Sequence, residues 1–168
     1  MAQITSKPTH KYILWIFLIC VPFLLMLIFK IYDAPLRQFG IEMVTQSNLH
    51  STHTAILAYF EKNDKYPSAE NCQDLLLPHF GNTTDAFKLP SKVNIKNTIA
   101  INPKAEPNSP IDVVLLFEST GGWNAHGQSE MLAPTSNGKP GCFILFNDGN
   151  IKFILPVQTK DLNWGNKP

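Results

Sequence analysis

Cysteine is scarce in this sequence. Cys20, Cys72 and Cys142 are the only three in 168 residues, too few and too scattered for a structural zinc site or a disulfide scaffold. An excess of one charge is missing as well. Fourteen basic and 13 acidic side chains leave a net charge of +1, and nucleic acid is excluded as a partner because its recognition needs clustered Lys and Arg. No G-x-S-x-G nucleophile elbow, no internal repeat and no low-complexity tract occurs. Proline is plentiful, with 13 in the chain, mostly from Pro67 onward. That distribution favours strands, turns and loops over a helical bundle in the later two-thirds.

Between Lys11 and Lys30 runs YILWIFLICVPFLLMLIF, with no charge in it. As a helix, residues 12–29 span about 27 Å at ~1.5 Å per residue. Ile31, Tyr32 and a snorkelling Lys30 bring the length to the ~30 Å of a bilayer core. Tyr12, Trp15 and Tyr32 stand where interfacial aromatics are expected. Pro22 costs one backbone hydrogen bond, which transmembrane helices tolerate. No small-residue cleavage site precedes Asp33, and Ile19 stands where a lipoprotein signal needs a small residue before Cys20. The expectation is an uncleaved anchor at residues 12–32 whose partner is the lipid bilayer. Lys7 and Lys11 before it nearly balance Lys30 and Arg37 after it. The short tail is the easier part to leave in the cytoplasm, which places the rest of the chain outside.

Past the anchor, Leu36, Phe39, Met43, Ser47, His50, Thr54 and Leu57 recur at spacings of three and four, one helical stripe that is apolar at both ends and polar in its middle, widened at its C-terminal end by Ile56, Tyr59 and Phe60. Residues 34–62 form either a second helix or a continuation of the first after a bend at Asp33-Ala34-Pro35. Tyr66-Pro67 stops it. Ser68 then caps a short helix docked by Leu75, Leu76 and Leu77 and ended by Pro78 or Gly81. Residues 92–101 alternate as one or two half-buried strands, and residues 112–117 (DVVLLF) make the expected central strand. Residues 121–140 read as a long polar loop. CFILF and IKFIL, joined by Asn147-Asp148-Gly149-Asn150, predict a hairpin with Asp-Gly in a type I′ turn. The fold class expected is α+β: a transmembrane helix, a following long helix, then a small antiparallel sheet. The boundaries are a tail (1–11), the anchor (12–32), a helix or stalk (33–65) and a globular head (66–168).

This order of parts resembles the bacterial prepilin-like, or pseudopilin-like, membrane proteins. More narrowly, residues 113–118 and Gly141-Cys142-Phe143-Ile144-Leu145-Phe146-Asn147-Asp148-Gly149-Asn150-Ile151-Lys152-Phe153 are similar to a subgroup carrying a C-terminal G-x-N-x-L-F-x-D-G-H-V-x-F hairpin. The subgroup's usual His about ten residues before Asp-Gly falls here at Gly138, and no Gly-Phe-Thr-Leu-Ile-Glu-like processing site stands near Lys11. The resemblance implies a pilin-like head on a single-pass anchor in the bacterial cytoplasmic membrane, with protein partners or self-association.

No catalytic, cofactor or metal site is expected. Asp148 and Gly149 suit a structural turn, and a calcium site needs more carboxylates than this loop holds. His50 and His53, three apart, share a helix face but lack a third ligand at a helpful spacing. Glu118, Ser119 and His126 contain the residue types of a relay without the supporting motif. Cys72 and Cys142 would pair in a disulfide only if the fold brings them within reach. The leading expectation is a non-enzymatic anchored protein. The rivals are an anchored binding or sensor domain using Trp123 and His126, and an anchored enzyme.

Overall fold

The structure, a computed structural model, describes residues 9–90, 97–136 and 138–165. It is α+β, with a long N-terminal helix and a small antiparallel sheet. The chain divides into two compact units, Met1–Phe39 and Gly40–Pro168.

Helix α1 is Thr9–Asn63 and contains both Pro22 and Pro35, so the backbone stays helical through Asp33-Ala34-Pro35. In the first unit the described large apolar side chains between Leu18 and Tyr32 are exposed, up to 75% at Phe29. Among the described residues no helix is long and apolar enough to cross a membrane. The side chains at 12–17, 19 and 31 of the expected anchor lie outside the described residues.

In the second unit, α1 ends because Asp64 takes a left-handed φ of 56° and returns its N–H to the Phe60 carbonyl at 2.8 Å, a helix-ending geometry more usual for Gly or Asn. The helical stripe read from the sequence is left outside. Leu36, Phe39, Met43 and Leu57 are exposed, and so are Ser47, His50 and Thr54. The buried positions are instead Thr45, Leu49, Thr52, His53, Ala55 and Ile56. Thr52 can enter the core because its hydroxyl donates to the Asn48 carbonyl of its own helix at 2.8 Å. That leaves its methyl to pack as an apolar group.

After Tyr66-Pro67, a 3₁₀ turn (Ala69–Asn71) leads into α2, Cys72–Leu76. Ser68 precedes the turn without a side-chain cap. A second 3₁₀ turn, Leu77–Phe80, ends at Gly81 with φ 62°. Leu76 is buried and Leu77 packs against the core, whereas Leu75 is exposed.

Four antiparallel strands follow: β1 (Thr98–Ile101), β2 (Val114–Ser119), β5 (Cys142–Phe146) and β6 (Ile151–Ile154), in the spatial order β1-β2-β5-β6. The small pair β3 (Thr135–Ser136) and β4 (Lys139–Pro140) interrupts the expected 121–140 loop. The first part of the expected 92–101 strand, residues 92–96, lies outside the described residues. β2 is internal and buried along its length. Between Val114 and Leu116 its register shifts against β5, a bulge with Leu115 as the extra residue. Leu115 and Leu116 thereby enter one core cluster while Val114 and Phe117 enter another. The sheet is covered on both faces, which explains the uninterrupted apolar run. The first cluster joins Leu49 and Ile56 of α1 to Phe143 and Leu145; the second gathers Phe117, Ile144 and Trp164. Phe117 and Trp164 meet edge to face, 5.3 Å between ring centroids.

Candidate functional site

The hairpin between β5 and β6 closes by a different turn from the one expected. Gly149 N–H donates to the Phe146 carbonyl at 2.8 Å, and Phe146 N–H to the Asn150 carbonyl at 2.9 Å. Asn147 and Asp148 are therefore the central residues of the turn, and only Gly149, with φ 83°, is left-handed. This is a three-residue loop with a glycine bulge, not a type I′ turn. The Asp148 carboxylate accepts from the Asn150 N–H at 2.9 Å and from the Asn150 side-chain amide. It is occupied within its own turn.

Two stretches that look unrelated in sequence meet here. A Cβ built on Gly149 would lie 3.0 Å from His53 Cε1 and 3.3 Å from Nδ1, so the turn backbone rests on the imidazole. His53 is 7% exposed, and its Nε2 is buried without a hydrogen-bond partner among the described residues. Burial first, and the neighbouring His50 second, push its pKa below 6.5; Asp148 opposes them. The rings of His50 and His53 are 6.5 Å apart between centroids, with His50 exposed. Among the described residues no group of three His, Cys, Asp or Glu is placed to hold a metal.

Glu118, Ser119 and His126 do not form a relay. Glu118 is 2% exposed; its carboxylate accepts from the Phe143 N–H at 2.7 Å and the Ser136 hydroxyl at 2.9 Å. These bonds favour the ionised form, but burial outweighs them and pushes the pKa up to about 7. Ser119 Oγ accepts from the Gly121 N–H at 2.9 Å, and His126 Nδ1 lies 3.0 Å from the Asn124 carbonyl. Glu118 holds β3 to the start of β5.

Trp123 belongs to a clasp that fastens its loop to α2. Its indole N–H donates to Asp74 at 2.8 Å, and the Asn124 amide donates to the other Asp74 oxygen at 2.6 Å. Gln73 and Asn124 bond reciprocally through backbone and side chain at 2.8 and 2.7 Å. The Trp123 indole bond first and the Asn124 amide bond second hold the Asp74 carboxyl below its ordinary range. Residues 125–127 continue along β1, where Ile101 N–H donates to the Ala125 carbonyl and Gly127 N–H to the Ile101 carbonyl. The segment read as a variable surface loop is thus tied to the sheet edge.

Cys72 and Cys142 are both free and buried. They lie in separate core clusters, and the pairing left open by the sequence is not made here. Burial pushes both thiols up to about 12, with the Glu118 charge adding at Cys142, so neither is a ready nucleophile.

A cleft of about 500 Å³ opens beside the end of α1, walled by Phe60, Asp64, Tyr66, Asn102 and Glu106 among others. Phe60 and Tyr66 meet edge to face at 6.0 Å, and the Tyr66 hydroxyl donates to Asn147 Oδ1 at 3.1 Å. The sequence reading missed this cleft because its walls come from residues 60–69 and 101–108, segments with no shared motif. Comparison with protein families, with curated proteins and with solved structures returns no match to this chain.

Proposed function

We propose that the chain is a membrane-anchored, prepilin-like protein, non-enzymatic, whose extracytoplasmic head makes protein contacts at the bacterial cell envelope. The observation that carries this reading is the exposed apolar surface of α1 from Leu18 to Tyr32. Phe23, Leu24, Phe29 and their neighbours each gain about 1.5–3 kcal/mol on leaving water, and apolar patches of that extent mark membrane or protein contacts. An uncharged run flanked by Lys11 and Lys30 favours lipid as the covering medium. The order long helix, Tyr-Pro break, short helix and antiparallel sheet ending in Phe146-Asn147-Asp148-Gly149 supports the prepilin-like assignment.

Protease added to intact spheroplasts tests the orientation: removal of the head is expected, and protection until lysis would overturn it. Purification in mild detergent tests the role. Stoichiometric protein partners or self-association are expected. A lone chain that binds a small molecule in the Phe60–Tyr66 cleft would instead favour an anchored binding domain.

A further inference from the structure

We propose that His53 is a proton-operated latch between α1 and the β5–β6 turn, closed while the imidazole is neutral and released when the ring becomes a cation. The geometry supplies the closed state. Gly149 seats directly on the ring, and any side chain there would meet Cε1 at 3.0 Å. Nε2 is shut away from solvent with no partner among the described residues. A neutral ring tolerates this; a second N–H in the same place would be a buried cationic donor without an acceptor, which is costly.

Among the described residues, two titratable groups act on the ring electrostatically, His50 and Asp148. His50 on α1 adds repulsion when it is itself protonated, and Asp148 on the hairpin attracts the cation. The Asp148 oxygens each accept one bond from Asn150, from its N–H and from its side-chain amide, and no Asp148–His53 bond is present in the closed state. Burial remains the largest influence and keeps the ring neutral. Moving the turn away uncovers the ring at Cε1 and Nδ1 and relieves the burial that disfavours the cation, so acid drives turn opening. The hairpin also seats Ile151 and Phe153 against the cluster containing Leu49 and Ile56, so the latch governs how firmly the last strand pair is held. In an extracytoplasmic head the pH of the surrounding medium would act on it directly.

The full-length chain in detergent micelles provides the test. Imidazole resonances followed from pH 8 to 4 should show His53 titrating below 6.5. Turn amides around Gly149, corrected for intrinsic exchange, should lose protection over the same range. The loss should be about tenfold for each unit by which the His53 midpoint lies below 6.5. His53→Met, which can fill the same space, should abolish that acid-dependent loss. A His53 midpoint at or above 6.5, or equal acid sensitivity in His53→Met, would overturn the latch. If His53→Met does not fold, the imidazole titration of the unaltered chain decides alone. Neither readout depends on whether α1 inserts in a bilayer in cells, so failure here and failure of the anchor are separable.

Discussion

The same chain follows opposite burial rules in its two units. In Gly40–Pro168 the largest side chains are inside: Phe87, Phe117, Leu115 and Ile144 are almost wholly removed from water. In Met1–Phe39, Phe23, Leu25 and Phe29 face outward along a helix with no polar face to turn to water. Apolar side chains left in water along a helix are costly. The contrast teaches that one composition average hides two patterns of burial, since the mean hydropathy of the whole chain is near zero at −0.05.

Paired substitutions break this comparison most directly. Phe117→Ala removes a fully buried ring that packs on Trp164. It should cost about 3–5 kcal/mol and lower the head's Tm by roughly 10–20 °C, read by thermal melts. The contrasting change, Phe23→Ala, should leave the same melt within about 0.5 kcal/mol and alter membrane partitioning instead. A large effect of Phe23→Ala on the head would mean that the two units share a core.

Glu118 gives a smaller effect with a definite sign. Its folded-state pKa is raised from 4.5 to about 7. Its contribution is therefore fully present below pH 4.5 and is lost as pH rises through about 7, amounting to at most about 3 kcal/mol. Glu118→Gln can accept from Phe143 and donate to Ser136, so the difference between the two chains' stability curves should grow across that window. His53 slopes the other way below pH 6.5, but it is common to both chains and cancels in the difference. A flat difference would show Glu118 ionised throughout. Smaller again, Gly149→Val forces a branched side chain to φ 83° and onto His53. A loss of about 1–3 kcal/mol is expected in the same melts; a silent substitution would mean that the turn is not seated on the helix.

Much of the head was legible because strands and turns leave local marks. VLLF of the expected DVVLLF strand lies in internal strand β2, and Phe143, Leu145, Ile151 and Phe153 face the first cluster together, as their alternation indicated. Gly81 ends its helix with the positive φ that glycine permits. The buried face of α1 was not legible from the stripe because Thr45, Thr52 and His53 count as polar in a hydrophobic pattern, yet they are buried. The turn type was misread because Asp-Gly suits both a two-residue turn and a three-residue turn with a bulge; the register of β5 against β6 decides between them. The His53–Gly149 contact, the Asp74–Trp123 clasp and the Phe60–Tyr66 cleft join residues far apart in sequence, so no spacing announces them.

Alkaline carbonate extraction of membranes from cells making the full-length chain tests the anchor most directly, with a second chain carrying Leu24→Lys and Ile28→Lys as the control. The chain with the native run should stay in the membrane pellet, and the lysine variant should pass to the supernatant, because each lysine costs about 2.5–3.5 kcal/mol at the centre of a span. Release of the unaltered chain into the supernatant would contradict the anchor, and the exposed apolar face of α1 would then have to be covered by protein.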